Sequence, residues 1–129
     1  MTRVLVVEDS SAMRAFVRAA LEEELEAEVI EAESGLHALS RLPGEAFDLV
    51  IVDVNMPDLN GLELVSFVRK QDRHRSTPIL LISTESAARD REKGLALGAN
   101  GFLSKPFTPD ELCERARSLI GVVGEGEDG

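Results

Sequence analysis

The sequence has little cysteine, no long apolar run and an excess of one kind of charge. The single Cys113 excludes an internal disulfide, is typical of a reducing cytosol and is expected to be a buried or half-buried thiol. No apolar stretch approaches the roughly 20 residues of a membrane-spanning helix, and the N-terminus lacks a signal-peptide pattern. The net charge of −10 argues against a nucleic-acid-binding surface. We therefore expect a cytoplasmic protein that contacts neither membranes nor nucleic acid directly.

The chain of 129 residues is long enough for one domain with a real core. Apolar runs predict buried strands near residues 3–7, 49–52 and 78–82. A weaker, more polar strand at a sheet edge is expected near residues 27–32, and a short fifth strand near residues 101–104. Between and after these runs, apolar residues recur at helical spacing. Five strands alternating with five helices predict an α/β fold with a parallel sheet and helices on both faces. A flexible acidic tail is expected over residues 124–129.

Polar side chains follow four of the predicted strands, namely Glu8 with Asp9, then Asp53, Ser83 and Lys105. The carboxyl ends of parallel strands meet at one edge of a sheet, so these groups should converge. Carboxylates packed together repel one another unless a cation lies among them, and an all-oxygen cluster suits Mg²⁺ best. With an ammonium and a hydroxyl added, the arrangement predicts a phosphoryl-binding site in which Asp53 is the nucleophile.

Each feature also has an ordinary structural explanation when it is taken alone. An aspartate after a strand usually forms a turn, an acidic pair usually starts a helix, a serine usually caps a helix and Lys-Pro usually forms a surface turn. The combination at four strand ends favours the chemical interpretation. His37 and His74 are expected to be surface residues with no ligand role.

In order and spacing, these motifs resemble the receiver domain of two-component response regulators, over essentially the whole chain. The matching segments are Val6-Val7-Glu8-Asp9-Ser10, Asp53-Val54-Asn55-Met56-Pro57 with Gly61 beyond, Ser83-Thr84, and Gly101-Phe102-Leu103-Ser104-Lys105-Pro106-Phe107. The resemblance implies a doubly wound, flavodoxin-like fold with the strand order 2-1-3-4-5. It also implies that residues 1–123 form the receiver domain.

The resemblance implies a phosphoacceptor and a metal site. Asp53 would take a phosphoryl group from the phosphohistidine of a histidine kinase. Mg²⁺, for which Mn²⁺ could substitute, would be held by Glu8, Asp9, Asp53 and the backbone carbonyl of Asn55. Asn55 and Glu85 would tune the rate of dephosphorylation. Such a protein catalyses its own phosphorylation and dephosphorylation, and it is not an ordinary multiple-turnover enzyme.

The resemblance also implies how phosphorylation of Asp53 would change the surface of the protein. Lys105 and Ser83 would bind the phosphoryl oxygens, and the peptide bond between Lys105 and Pro106 would be cis. Phe102 would be the switch aromatic that turns inward when Ser83 moves, although a plain core aromatic is the alternative. Many receivers have tyrosine at this position, so an output that needs a phenol hydroxyl is excluded. The surface of the fourth helix, fifth strand and fifth helix would then control a partner protein.

Several alternatives remain open at this point. We expect a stand-alone receiver of the chemotaxis or motility type, either a monomer or a weak phosphorylation-dependent dimer. The chain could instead be the N-terminal receiver of a longer response regulator or hybrid kinase. A metal-dependent phosphatase of the haloacid dehalogenase type requires a second aspartate where Asn55 stands. A phosphate-independent interaction module would not need the intact set of site residues.

Overall fold

The structure, a computed structural model, describes the backbone of residues 2–84 and 88–128 and the side chains of residues 2–84 and 89–120. Within these residues, five strands alternate with five α-helices. They are β1 Arg3–Val7, α1 Ser11–Leu25, β2 Glu28–Ala32, α2 Gly35–Arg41, β3 Leu49–Asp53, α3 Gly61–Lys70, β4 Ile79–Thr84, α4 Ala88–Leu97, β5 Gly101–Lys105 and α5 Pro109–Asp128. Two short 3-10 turns lie at Leu42–Gly44 and Asp72–His74. Among the described helices, none has the length and apolarity needed to cross a membrane.

The described strands form one parallel sheet in the order β2-β1-β3-β4-β5, which confirms the predicted fold class and strand order. The register aligns the carboxyl ends of the central strands, because Val7 of β1 lies opposite Val52 of β3. Asp53 in turn lies opposite Ile82 of β4, and Thr84 lies opposite Lys105 of β5. The residues that end each strand are therefore brought to one edge of the sheet.

Alternate residues of each central strand enter two separate apolar layers. Leu5 and Val7 of β1 pack in the layer that includes Leu64 of α3, whereas Val4 and Val6 pack in the layer that includes Leu21 of α1. All of these side chains are buried. Burying a side chain of this size contributes about 1.5–3 kcal/mol to stability, so the two layers hold the sheet edge in a fixed geometry.

His74 is fully buried, so the prediction that it is a surface residue was wrong. Its Nε2 lies 2.7 Å from the carbonyl oxygen of Leu42, and its Nδ1 lies 3.1 Å from Oγ1 of Thr77. The ring also stacks on Phe47, with ring centroids 6.1 Å apart. The basic residues around His74 in the sequence indicated a solvated loop, but both ring nitrogens have partners, which removes most of the cost of burial. His37 is half-buried.

Cys113 is buried, as expected, with Sγ 3.4 Å from the carbonyl oxygen of Ala20. Burial raises the pKa of its thiol to about 11. The thiolate is the reactive form of cysteine, so Cys113 is a core residue of the layer between α1 and α5.

Helix α5 continues to Asp128, where the sequence predicted a flexible tail from Gly124 onward. Each residue that extends an existing helix avoids the cost of nucleation, and the glycines that suggested a tail lower helix stability without excluding a helix. The domain boundary at residue 123 stays a prediction.

Candidate functional site

Three carboxylates lie together at the carboxyl edge of the sheet. Glu8 follows β1 directly and Asp53 ends β3, and the pairing of Val7 with Val52 places the two side by side. One carboxylate oxygen from each of Glu8, Asp9 and Asp53 lies within 4.8 Å of the others. Glu8 and Asp53 are only 3% and 4% exposed, whereas Asp9 is exposed. The predicted convergence of these side chains is therefore present, with one open side at Asp9.

Lys105 contributes a positive charge to this cluster from the end of β5. Its Nζ lies 3.3 Å from Oε1 of Glu8 and 3.5 Å from Oδ2 of Asp53. The peptide bond between Lys105 and Pro106 is cis, the form that the resemblance implies. One ammonium among three carboxylates leaves two negative charges uncompensated when all of the groups are ionised.

The electrostatics of Glu8 reflect this excess of negative charge. Burial, and after it the neighbouring Asp53 carboxyl, raise the pKa of the Glu8 carboxyl, which is about 7 once all of its contacts are included. The backbone N–H of Ser10, 3.1 Å from Oε2, and the Lys105 ammonium act in the opposite direction. A group of hard oxygen ligands that is short of positive charge fits a divalent cation such as Mg²⁺. The donor chemistry of Glu8, Asp9 and Asp53 is thus suited to the metal that the resemblance implies.

The loop after β3 fixes the orientation of Asp53. The backbone N–H of Asn55 donates to Oδ1 of Asp53 over 3.2 Å, and Oδ2 is the oxygen beside Lys105. Gly61 then brings the loop back onto the strand, with its N–H 2.9 Å from the carbonyl oxygen of Val54. A Cβ at Gly61 would lie 2.5 Å from the backbone oxygen of Asp53. Only glycine permits so close an approach. The metal contact predicted for the Asn55 carbonyl stays a prediction.

Asp58, which sequence reasoning missed, ties the same loop to α2. Its two carboxylate oxygens accept from the backbone N–H groups of Gly35 and Leu36, over 3.3 and 3.0 Å. At the start of a helix these N–H groups have no partner within the helix itself, so Asp58 satisfies them. The hydrogen bond from Leu36 is the main reason why the pKa of the Asp58 carboxyl is lowered. The only sequence signal was an aspartate after Met56-Pro57, which is common to many turns.

Ser83 lies at the end of β4 and is fully buried. Its Oγ has no hydrogen-bond partner among the residues that the structure describes. An unpaired buried hydroxyl costs about 1–3 kcal/mol of stability. A ligand oxygen at this position would supply the missing hydrogen-bond acceptor.

Two further predicted residues remain untested in their roles. Phe102 is half-buried on β5 and packs against the apolar layer that contains Leu64 and Leu81. Its contacts fit either a switch aromatic or a core aromatic. Glu85, predicted to tune dephosphorylation, lies outside the described residues.

Arg14 contacts the acidic turn from α1, and sequence reasoning also missed it. Its Nη1 donates to the backbone carbonyls of Glu8 and Asp9, over 2.8 and 3.3 Å. Its Nε donates to Oε1 of Glu31 over 2.9 Å. The helical pattern of α1 placed Arg14 on the polar face, and no local signal separates a solvated arginine from one with a tertiary partner.

Comparison with known proteins agrees with this geometry. Residues 4–117 match the sequence profile of the response regulator receiver domain family. The chain is 38% identical over 126 residues to a chemotaxis protein CheY homolog of Campylobacter jejuni, covering 97% of this chain and 96% of that protein. The structure of the chemotaxis response regulator CheY4 of Vibrio cholerae superposes with a TM-score of 0.87 at 39% identity, covering 92% of this chain and 98% of that one.

A more distant structure carries a metal. The receiver domain of the sensor histidine kinase PA1611 from Pseudomonas aeruginosa has a TM-score of 0.85 at 28% identity, covering 93% of this chain and 98% of that one. In that structure a magnesium ion is coordinated in the active-site cleft.

Proposed function

The chain belongs to the response regulator receiver domain family, and we propose that it is a switch whose Asp53 accepts a phosphoryl group from the phosphohistidine of a histidine kinase. The observation that carries this proposal is the setting of the Asp53 carboxylate. It is 4% exposed, lies among two further carboxylates and has the Lys105 ammonium 3.5 Å from Oδ2. An aspartate that only formed a turn would not need to be buried beside two other carboxylates and an ammonium.

In the proposed reaction, a carboxylate oxygen of Asp53 attacks phosphorus. The bond between phosphorus and the histidine nitrogen breaks, and an acyl phosphate forms on Asp53. The Asn55 N–H holds Oδ1, so Oδ2, beside Lys105, is the oxygen presented to the donor. Lys105 then stabilises negative charge on the transferred oxygens without moving far, because it already lies at the site. The buried Ser83 hydroxyl donates to one of these oxygens and gains the partner that the described residues do not provide.

Glu8, Asp9, Asp53 and the carbonyl of Asn55 would hold Mg²⁺, or Mn²⁺ in its place. When bound, the ion would supply charge neutralisation for the transferred oxygens. The raised pKa of Glu8 supports this assignment, because it shows that the ionised carboxylate is disfavoured without a cation. A bound divalent cation would stabilise that carboxylate. The family resemblance supports it too, since magnesium occupies the cleft of the PA1611 receiver.

The output would be a change in the surface formed by α4, β5 and α5, which a partner protein recognises. Ser83 and Phe102 would transmit the change, and Asn55 and Glu85 would set the lifetime of the acyl phosphate. The 38% identity to the Campylobacter jejuni relative over 96% of its length supports a cytoplasmic receiver of the chemotaxis type. Such a receiver would be a monomer or a weak phosphorylation-dependent dimer, with a histidine kinase as its donor and a protein as its target.

Labelling with acetyl phosphate and Mg²⁺ tests the proposal directly. We expect one acyl phosphate, located at Asp53 by borohydride reduction and mass spectrometry, and no labelling in Asp53→Asn. Asp110→Asn removes the same charge at an exposed position and should label like the wild type. Undiminished labelling of Asp53→Asn would disprove the assignment. Phosphotransfer profiling against the histidine kinases of the source organism would then identify the donor.

A further inference from the structure

The backbone of the acidic turn Glu8–Ser10 is held by Arg14, a side chain to which the proposed function assigns no role. Arg14 lies in the first turns of α1, and only 15% of its side chain is exposed. Its guanidinium donates to the carbonyl oxygens of Glu8 and Asp9, not to their carboxylates. These two hydrogen bonds fix the peptide groups from which the Glu8 and Asp9 side chains project.

Arg14 is itself held by the edge strand of the sheet. Glu31 of β2 accepts from Nε of Arg14 over 2.9 Å with one oxygen and from Arg18 over 2.5 Å with the other. Hydrogen bonding to Arg18, and then to Arg14, lowers the pKa of the Glu31 carboxyl. The chain of contacts runs from Arg18 through Glu31 and Arg14 to the acidic turn.

A guanidinium at this place acts on a bound cation in two opposite ways. Its charge repels a divalent ion, which lowers affinity. Its hydrogen bonds restrict the turn, which reduces the ordering needed on binding and so raises affinity. Because Glu31 pairs with the guanidinium, much of the repulsion is cancelled while the hydrogen bonds remain.

We propose that Arg14 is a positioning residue for the cation site, and that Glu31 both aims its guanidinium and neutralises its charge. Arg14 shapes the turn Glu8–Ser10 so that two of the three carboxylates face the ion, although it touches neither the ion nor the phosphoryl group. The proposal rests on the proposed function, because it takes Glu8, Asp9 and Asp53 to be the cation ligands.

The sign of the change in Mg²⁺ affinity separates positioning from simple charge. For Arg14→Met, loss of positioning predicts weaker binding, by about 10-fold as is typical for residues that orient metal ligands, whereas loss of charge alone predicts tighter binding. Arg14→Lys keeps the charge but loses the planar fork, and we also expect it to bind several-fold more weakly. Glu31→Gln should weaken binding as well, because the guanidinium loses its counter-charge. Arg75→Met, at an exposed arginine, should leave affinity unchanged.

Calorimetric titration of the full chain with MgCl₂ measures these affinities, and Mn²⁺ binding followed by electron paramagnetic resonance checks them. The chain has no tryptophan or tyrosine, so a fluorescence titration has no intrinsic reporter. Thermal denaturation in EDTA shows which variants fold. If Arg14→Met does not, Arg14→Lys and Glu31→Gln still decide the question. At saturating Mg²⁺ the labelling rate of Arg14→Lys should approach that of the wild type, because only the metal dependence has changed.

Unchanged or tighter Mg²⁺ binding in folded Arg14→Lys and Arg14→Met would overturn the inference and leave the proposed function intact. Mg²⁺ binding with the expected order of variants, but no labelling of Asp53, would contradict the proposed function and support the inference. A wild-type chain that binds no Mg²⁺ would contradict both.

Discussion

The raised pKa of Glu8 predicts an unusual pH dependence for the metal-free protein. The carboxyl has a pKa of about 7 in the folded chain, against an ordinary value of 4.5. Between these values the folded state binds more protons than the unfolded state, so the free energy of unfolding falls as pH rises. The stabilisation from protonated Glu8 is complete below pH 4.5 and is lost by pH 7 and above. A shift of this size corresponds to about 3 kcal/mol.

Urea denaturation in EDTA at pH values from 5 to 8 measures this loss, and Glu8→Gln isolates it. Glu8→Gln has no carboxyl to ionise, so its free energy of unfolding should change less with pH than that of the wild type. At pH 8 the variant should be more stable than the wild type by up to about 3 kcal/mol. Glu33→Gln removes the same charge at an exposed position and should retain the wild-type slope. Carboxyls such as Glu31 and Glu45, whose pKa values are lowered by arginine partners, titrate below this range and have the opposite sign.

Magnesium should reverse the loss of stability that the metal-free protein shows at high pH. At pH 8, Mg²⁺ binding to ionised Glu8 should raise the stability of the wild type, and this gain should shrink as pH falls below 7 because protons compete with the ion. Glu8→Gln should gain much less from Mg²⁺. Equal slopes for the wild type and Glu8→Gln in EDTA would refute the electrostatic account of the site.

Three further perturbations follow from particular contacts. Gly61→Ala should destabilise the chain by about 1–3 kcal/mol and impair Asp53 labelling, because the new Cβ meets the backbone of β3; Gly44→Ala, with open space around it, should do neither. His74→Ala should cost about 2–4 kcal/mol in urea denaturation, since it opens a cavity and leaves a buried carbonyl unpaired, whereas alanine at half-buried His37 should cost less. Ser83→Ala should raise the free energy of unfolding by up to about 1–3 kcal/mol, because it removes a buried hydroxyl that has no described partner, yet slow Asp53 labelling by roughly 10²-fold. A large loss of stability in Ser83→Ala, measured the same way, would show that the hydroxyl has a structural partner.

The sheet and the residues at its edge could be predicted because both depend on local patterns. Strands buried on both faces read as unbroken apolar runs, as in Val4–Val7 and Leu49–Val52, and a polar residue directly after such a run marks its end. Parallel packing then brings those ends together without further information. The convergence of Glu8, Asp9, Asp53 and Lys105 therefore followed from the order of the elements alone.

The residues that escaped prediction are those whose partners are distant in the sequence. Arg14 contacts Glu31 across an edge strand. Arg69 donates to the carbonyls of Gly98 and His74, which no periodic pattern indicates. A helix pattern separates apolar from polar positions, but a long polar side chain can reach either water or a carbonyl group. His74 was misjudged for the same reason, because polarity alone does not reveal a buried pair of hydrogen-bond partners.

The site is incomplete in two opposite senses, and the proposed function would supply one ligand for each. Among the described residues three carboxylates surround one ammonium, and the resulting negative charge would repel an incoming phosphoryl group. The hydroxyl of Ser83, in contrast, lacks an acceptor among the described residues. A cation without a phosphoryl group would leave Ser83 unpaired, and a phosphoryl group without a cation would meet uncompensated carboxylates. Phosphorylation of Asp53 should therefore depend steeply on the divalent ion, and most steeply above pH 7, where Glu8 is ionised.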